Sequence, residues 1–363
     1  MKKKLLVATA LTLGLGFYAA DSSAQIFKLK FTPDGLPTQF VEAINAEIKK
    51  VETEINSDLP SANSPKRLME GMANSSVMAG KGIGSDYASN MDVILIGAGV
   101  GVGADLEKNK DADTDMSGLG VQGGLIIGTN LGWMDTQKIL GLETNKLNLY
   151  VNFLSYNSDQ DLGDTKAKID MTSFGVHASY DWIKGSNSKL WGWGGVKVHT
   201  GYEYNKTKLR FDSTITEDIE VTEGDSTFSA NLRANPFATI NASTQSIPLE
   251  ISSSVRFLYL FSLYGGLGMD YNFGSAEGHG DLNSGGSTPV TCDSGSACSG
   301  GVTNAGSIET TANIDGKADV NPFLFRGFAG LQLHLPYVVI FGQVDKALGN
   351  DLVGATAGLR FVY

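Results

Sequence analysis

Histidine and acidic side chains are the groups in this chain best suited to acid–base or hydrolytic chemistry. His177 and His199 fall on the polar side of two neighbouring predicted strands. A hydrolytic site would also require a nucleophile or a held water between such groups, and no nucleophile motif accompanies them. We therefore expect no catalytic site and interpret these residues as part of a network of hydrogen bonds and ion pairs. Its predicted members are His177, Asp181, Lys197, His199, Glu203, Glu250, Arg256, Asp270, Arg326 and Arg360.

The metal-binding motif of the sequence is incomplete. Asp111, Asp113 and Asp115 have the spacing of the first three ligands of a calcium loop. That loop also needs glycine at its sixth position and glutamate at its twelfth, where this chain carries Met116 and Gln122. The pattern excludes an EF-hand and leaves weak surface calcium binding as the alternative to a solvated acidic loop.

The alternating glycines of Gly97–Gly103 invite comparison with a dinucleotide-binding loop. The fingerprint G-x-G-x-x-G must open a helix, but Val102 stands where its third glycine is required. The glycines instead alternate along a predicted strand. We expect no cofactor and no metal site.

Cys292 and Cys298 are the two cysteines of the chain. Two nearby cysteines in an exported protein predict one local disulfide. A metal site is excluded for them, because no second pair or nearby histidine completes a tetrahedral set.

The elements that carry these residues follow a predicted export signal. A lysine cluster at residues 2–4 precedes an apolar run at residues 5–20, and the small residues Ser22 and Ala24 fit a cleavage site. We predict a signal peptide at residues 1–24. A separate helical segment at residues 25–90 follows, in which apolar residues recur at helical spacing: Phe40, Ile44, Ile48, Val51 and Ile55.

From Met91 to Tyr363 the hydrophobic period changes from 3.6 to 2. Ten segments carry apolar residues on one face and glycine or polar residues on the other, which is typical of a transmembrane β-barrel. A soluble β-sandwich also alternates, but its outward face would be rich in Lys, Glu and Thr. We predict an all-β fold, an antiparallel up-and-down transmembrane barrel of about ten strands over residues 91–363, with the polar network in its lumen.

The connections between the predicted strands are unequal. Those after even-numbered strands are mostly tight, whereas those after odd-numbered strands are longer or more charged, as at residues 206–235 and 274–319. In such barrels the long loops face outward and the short turns face the periplasm. We expect residues 274–319, which are rich in Ser and Gly, to be the principal outward surface and to be disordered unless something restrains them.

Glycine crowds one wall of the predicted barrel. Strands one and two turn six glycines inward, namely Gly97, Gly99, Gly101, Gly103, Gly120 and Gly124. Glycine within a strand often marks the close approach of another backbone. We therefore expect either Phe40–Asn56 or the stretch after it to enter the barrel as a plug. The alternative is a helical segment lying in the periplasm.

Composition limits the classes of function. The chain of 363 residues is 18% charged and 42% hydrophobic, with a net charge of −11. After the signal no apolar run reaches about 18 residues, which excludes transmembrane helices, and the acidic balance argues against a nucleic-acid partner. Open channels use roughly 16 to 18 strands, so a narrow porin or small-solute channel is the alternative function.

The chain resembles bacterial outer-membrane β-barrel proteins in its signal sequence, alternating strands and aromatic C-terminal residue. In that family the last strand commonly ends in an aromatic residue, which the barrel assembly machinery recognises. The resemblance assigns this assembly signal to Leu359, Phe361 and Tyr363. The helix followed by Met69–Val77 and Gly84–Asp92 is similar to a leptospiral family of surface antigens regarded as adhesins.

Together these features predict a multi-pass protein of the bacterial outer membrane that binds through long extracellular loops and lends structure to the membrane. The expected partners are outer-membrane lipids, the barrel assembly machinery, and extracellular-matrix or host plasma proteins. The alternatives are the narrow porin and, less favoured, a hydrolase with a histidine site at the outer rim of the barrel.

Overall fold

The computed structural model describes residues 27–57, 64–88, 93–106, 118–134, 136–161, 163, 165–187, 190–258, 260–282, 288–295 and 304–363. The predicted signal peptide, the Asp111–Asp115 run and Cys298 lie outside the described residues, so what was predicted for them stays a prediction. Within the described part, neither helix combines the length and the apolar character needed to cross a bilayer.

In the described residues, one strand and two helices precede the barrel. Strand β1 spans Phe27–Pro33, helix α1 spans Thr38–Ser57 and helix α2 spans Ser64–Ala79. The helical spacing predicted for α1 is present, because Phe40 and Ile44 are buried on one side of it.

The remaining strands are numbered in chain order. Their bounds are β2 Ile94–Asp105, β3 Gly118–Asn130, β4 Lys138–Ile139, β5 Leu142–Glu143, β6 Leu147–Asp161, β7 Thr165–Asn187, β8 Trp191–Ser213, β9 Ile215–Glu223, β10 Ser226–Ala234, β11 Pro236–Phe257, β12 Phe261–Leu282, β13 Thr288–Ser294, β14 Asn304–Asp319, β15 Phe323–Leu335, β16 Val338–Ala347 and β17 Leu352–Val362. The two-residue strands β4 and β5 form a small hairpin between β3 and β6.

Ten strands of the described chain close into an antiparallel barrel in the order β2, β3, β6, β7, β8, β11, β12, β15, β16 and β17. The ring closes where the last strand pairs with the first, with Phe361 opposite Ile96. The prediction of an antiparallel barrel of about ten strands is confirmed, and each of the ten predicted segments lies on one of these strands.

The outside of the barrel is an apolar band with aromatic borders. Leu125, Leu267 and Val344 are 63%, 65% and 60% exposed in the isolated chain, and an aliphatic wall of this extent requires a lipid environment. Phe261 and Tyr271 point outward ten residues apart on β12. On a tilted strand this separation is about 25 Å along the membrane normal, the height of the apolar band in outer-membrane barrels. The barrel therefore lies in the bacterial outer membrane.

Four adjacent barrel strands are about twice as long as the shortest ones. β7 and β8 have 23 residues each and β11 and β12 have 22, whereas β16 and β17 have 10 and 11. A spanning strand needs about 9–11 residues, so these four strands rise beyond the membrane as a tall wall. We call this end of the barrel the loop end. The opposite end, the turn end, carries tight connections such as Pro336–Tyr337.

A second sheet stands at the loop end. Its strand order is β9, β10, β13, β14 and β1; β9 and β10 extend the connection from β8 to β11, and β13 and β14 extend the connection from β12 to β15. β1 pairs along β14, from Phe27 opposite Ala312 to Pro33 opposite Gly306. α1 covers one face of this sheet over a core of Leu29, Phe31, Phe40, Ile44, Ile48, Ile219, Phe228, Ala230, Val290, Ala305 and Ile308. We call this sheet with α1 the outer domain.

This arrangement bears on two expectations. Residues 274–319 were expected to be disordered unless something restrains them; in their described part they form β structure, because Val290 and Ile308 anchor β13 and β14 in the outer domain core. Helix α1 lies at the loop end, opposite the turn end where a periplasmic segment would lie, because its apolar face is buried on the outer sheet.

After α1 the chain passes into the barrel. Residues 71–88 are buried in the lumen, whereas Lys66 at the start of α2 is exposed. We call residues 64–88 the lumen plug. The apolar side of α2 packs on the inner face of the tall wall and on β14, in a cluster formed by Leu68, Met69, Met72, Ala73, Val77, Ile240, Ala242, Ala276, Ala318 and Val320. This plug is the stretch after α1, one of the two stretches that the glycine pattern brings into the barrel.

Candidate functional site

The lumen plug lies directly against the glycine wall of β2 and β3. A Cβ atom at Gly118 would collide with the backbone of Gly71, and one at Gly101 would collide with the Ala79 carbonyl group. The Ser75 hydroxyl donates a hydrogen bond of 3.0 Å to the Gly118 carbonyl oxygen. Side chains are absent from this wall because the plug backbone occupies the space that they would fill.

Arg326 is the centre of a buried ion cluster on the opposite side of the lumen. Its guanidinium donates to carboxylates on three other strands: Nε to Asp270 at 2.9 Å, Nη1 to Asp345 at 2.6 Å, and Nη2 to Glu250. Arg326 and Asp270 have no exposed surface. The structure thus brings together three predicted network residues, Glu250, Asp270 and Arg326, and adds Asp345 from β16.

Lys81 of the lumen plug joins the same cluster. Its Nζ donates to Glu203 Oε2 at 2.8 Å and to Ser246 Oγ at 2.9 Å, and it lies 3.2 Å from Asp270 Oδ1. Lys81 is fully buried. Asp270 is therefore shared between a cation of the wall, Arg326, and a cation of the plug.

Arg360 holds the last part of the plug. Its Nη1 donates to Asp86 Oδ1 at 3.2 Å, and its Nη2 donates to the Ser85 carbonyl oxygen at 2.6 Å. Gln332 donates to the same Asp86 oxygen at 3.0 Å. The guanidinium also lies 3.7 Å from the centre of the Phe341 ring, within the range of a cation–π contact.

Tyr87 occupies the lumen beside the contacts between Arg360 and the plug. Its hydroxyl donates to Glu250 Oε2 at 2.8 Å. Its ring stacks on Tyr264 with centroids 5.1 Å apart and is tilted against the His199 ring at 4.8 Å. The plug thus fills this part of the lumen with packed side chains as well as ion pairs.

The other predicted network residues form separate contacts. His177 Nε2 lies 3.1 Å from Asn152 Oδ1, and Lys197 Nζ lies 3.6 Å from Asp181 Oδ1. All four side chains point to the inside of the barrel, and Asp181 is the most exposed of them. The predicted network therefore divides into several separate contacts. Only one of them, the Arg326 cluster, joins many strands.

Two serine–histidine pairs occur in the described barrel. His199 Nε2 lies 3.1 Å from Ser252 Oγ, but both residues are buried behind the plug. His334 Nε2 lies 2.9 Å from Ser262 Oγ at the turn end, and Arg256 Nε donates to the same hydroxyl at 3.4 Å. Among the described residues Ser262 is the only side-chain hydrogen-bond partner of His334, and His199 Nδ1 has no hydrogen-bond partner there. Within the described residues, neither pair therefore has a carboxylate that orients the imidazole as in a hydrolytic triad.

Lys81, Asp86 and Tyr87 were missing from the sequence prediction. Alternation locates polar residues on strands, and these three residues lie in a stretch that has no regular period. One feature of the sequence could have indicated Lys81. It lies between two glycines, Gly80 and Gly82, next to a segment that was expected to pack against the glycine wall.

The second candidate surface is the face of the outer domain opposite α1, which we call the open face. Ser229 and Thr291, with hydroxyl oxygens 3.1 Å apart, lie near its centre. Alternation from the buried core residues turns the following exposed side chains toward it: Lys28, Lys30, Glu220, Thr222, Thr291, Asp293, Glu309 and Thr311. Hydroxyl groups and charges of both signs on a sheet surface suit contact with a polar macromolecule.

The rim of the tall wall carries an exposed, doubly hydrogen-bonded ion pair. Arg210 donates to Asp212 through Nε at 2.8 Å and through Nη2 at 2.7 Å. These hydrogen bonds lower the pKa of the Asp212 carboxyl. The carboxylate therefore stays ionised at neutral pH beside the outer domain.

The predicted disulfide and assembly-signal residues lie at opposite ends of the molecule. Cys292 is on β13 with its side chain against the outer domain core, and its predicted partner lies outside the described residues. Leu359, Phe361 and Tyr363 are exposed on the lipid-facing side of the C-terminal end of the chain. Arg360 between them points into the lumen.

Solved outer-membrane barrels resemble this chain only distantly. The translocator domain of the autotransporter NalP from Neisseria meningitidis is 11% identical, with a TM-score of 0.31, and the alignment covers 79% of this chain and 93% of that one. Ail, the attachment invasion locus protein of Yersinia pestis, is 11% identical, with a TM-score of 0.23 and coverage of 75% and 99%. Likenesses this distant support no inference about function.

Sequence comparison gives a family. No curated protein sequence matches the chain. A family model described as Lsa36-like matches residues 23–363, which include the lumen plug, the outer domain and the whole barrel. The chain belongs to the Lsa36-like family, which confirms the resemblance to a leptospiral surface-adhesin family.

Proposed function

We propose that the protein is a surface-exposed binding protein in which the barrel anchors the outer domain and the open face binds extracellular-matrix or host plasma proteins. The observation that supports this proposal is the separate hydrophobic core of the outer domain. Extensions that only shield a barrel rim would not require an ordered sheet with a covering helix. A rigid sheet holds contact residues in place, which lowers the entropic cost of binding.

The chemistry of the open face suggests the class of partner. Lys28, Lys30, Glu220, Asp293 and Glu309 give it charges of both signs among hydroxyl groups. The net charge of the chain is −11, which disfavours nucleic acid and favours basic or glycan-bearing proteins. Two further partners are expected. The lipid-facing band would contact outer-membrane lipids, and the C-terminal strand would be recognised by the barrel assembly machinery.

The alternatives are less well supported. A diffusion channel requires an open lumen, and here α2, Lys81, Asp86 and Tyr87 occupy it. A hydrolase requires an accessible nucleophile, and the His199 pair lies behind Tyr87. We therefore propose a binding protein without catalytic activity.

The test compares two double variants with the same change in charge. Ser229→Arg with Thr291→Arg places two bulky cations at the centre of the open face, and Asn45→Arg with Ala46→Arg places two on the exposed side of α1. On immobilised extracellular-matrix and plasma proteins, we expect binding by the first variant to weaken at least about tenfold, because hot spots cluster at interface centres. The helix variant should stay within about twofold of wild type. Binding that survives the open-face change while the helix change abolishes it would reject the open face as the site.

A further inference from the structure

We propose that the barrel exports its own N-terminal segment: the residues ahead of the lumen plug cross the outer membrane through the lumen and are displayed at the cell surface. The direction in which the chain runs through the barrel supports this activity, whatever the open face binds.

The barrel begins and ends at the turn end. The amides of Val93 and Ile94 both donate to the Tyr363 carbonyl oxygen at 2.9 Å. Tight turns such as Pro336–Tyr337 mark this end as periplasmic, because outer-membrane barrels keep their short connections on that side. The chain therefore enters β2 from the periplasm.

The outer domain holds the N-terminal elements at the opposite end. β1 pairs with β14 from Phe27 to Pro33, and the later residues of β14 pair with β12 above Gly274. The side chains of Lys317 and Glu277 form an ion pair across these extended strands. Phe27, the first described residue, is therefore on the extracellular side.

The contacts of the lumen plug descend from one end to the other. At the loop end, Arg67 Nη2 lies 3.1 Å from Asp105, the last residue of β2. At the turn end, Arg256 donates to the Ala88 carbonyl oxygen at 2.8 Å, one residue before β11 ends at Phe257. Within the described residues, the plug is thus a single pass from outside to inside and forms an eleventh crossing of the membrane.

The barrel has room for the lumen plug, and the outer domain core keeps the N-terminal segment outside. The wall around Gly101 and Gly118 lacks side chains, so one polypeptide fits beside it in a ten-stranded barrel. Outside, Leu29, Phe31 and Phe40 are buried in the outer domain core. Burial of apolar side chains is favourable, and it retains the segment on the extracellular side once it has crossed.

The first experiment measures on which side of the membrane the N-terminal segment lies. An epitope inserted between Asp34 and Gly35, in an exposed turn where a Cβ would meet nothing, should be stained by antibody on intact cells. The matched control has the epitope between Leu140 and Gly141, another exposed turn with open space, at the turn end; it should be stained only after permeabilisation. Staining of the Asp34 epitope only after permeabilisation would overturn the proposal.

The second experiment tests the route. A flexible passenger or a small disulfide-closed passenger is inserted directly before Phe27, and heat-modifiable migration verifies that each barrel assembles. We expect the flexible passenger on the surface of intact cells, and at least a tenfold lower surface signal for the closed one, because the cross-linked passenger is wider than the single polypeptide that fits beside the glycine wall. A cysteine-free version of the closed passenger should regain display. Equal display of the closed and cysteine-free passengers would refute passage through the lumen. Failure of the open-face variants to lose binding would leave these readouts unchanged.

Discussion

Arg326 illustrates how single residues join the strands of this barrel. The guanidinium has no exposed surface and contacts three carboxylates from three other strands. Moving each ion out of water costs several kcal/mol, and only good geometry with further hydrogen bonds offsets that cost. Removing one partner from such a cluster is therefore more destabilising than the net contribution of the intact cluster suggests.

Replacing Arg326 should accordingly destabilise the folded barrel. Arg326→Met leaves Glu250, Asp270 and Asp345 buried with reduced compensation, and we expect the free energy of unfolding to fall by about 3–5 kcal/mol. Denaturant unfolding in detergent, followed by heat-modifiable migration in gels, measures the change. Lys346→Met is the control, because the Lys346–Asp351 pair of 3.1 Å is exposed and exposed pairs contribute about 0–1 kcal/mol. Equal losses in the two variants would contradict the role given to burial.

Gly120 of β3 faces the lumen plug. A Cβ at this position would collide with the backbone of Ser75 in the plug. Overpacking of this kind costs about 1–3 kcal/mol, so Gly120→Val should displace the plug and make it a better substrate for added protease. Gly342→Val is the control, because a Cβ at Gly342 meets nothing within 4 Å. Equal protease resistance of both variants would mean that the plug does not rest on the glycine wall.

At the scale of elements, α1 stabilises the outer domain and not the barrel. Ile44→Asp puts a charge into the core beneath the helix, and a buried unpaired charge is strongly unfavourable. We expect rapid proteolysis of the outer domain while the barrel keeps its heat-modifiable migration. Ala46→Asp on the exposed side of the same helix should leave the cleavage pattern unchanged. Loss of the folded barrel in the Ile44 variant would show that the two parts do not fold separately.

The membrane-spanning strands could be predicted because the lipid and the lumen impose opposite demands on alternate residues. Leu125 and Leu267 face lipid while their neighbours Gly124 and Gly268 face inward, and this contrast is visible in the sequence. The outer domain strands could not be predicted in the same way. Their core face carries apolar residues such as Phe31 and Ile308, but their open face meets water and carries residues such as Thr291. These short strands therefore lack the contrast between a lipid-facing apolar band and inward glycines that marks the barrel strands.

The lumen plug was predictable only in part. The inward glycines indicate that another backbone approaches β2 and β3, but they do not indicate which residues belong to that backbone. α2 has few strongly apolar residues, and Met69, Met72 and Met78 were not expected to form a buried face. The ion pairs of Lys81 and Asp86 join positions that are far apart in sequence, and no local pattern encodes such contacts.

In the whole molecule, three parts of one chain have different roles. The barrel provides the lipid-facing anchor, the lumen plug closes it, and the outer domain presents the open face. The plug connects the other two parts, because it follows α1 and precedes β2. A molecule of this design should be closed to ions while its outer domain is exposed to partners.

Single-channel conductance in planar bilayers tests this closure most directly. We expect the wild-type protein to give no steady conductance steps, because α2 and the ion pairs of Lys81, Asp86 and Arg326 occupy the lumen. A variant with residues 66–86 replaced by a flexible Gly/Ser linker of equal length should give discrete steps, and the Ala46→Asp protein should stay silent. Large, steady steps from the wild-type protein, equal to those of the linker variant, would contradict the account and favour a porin.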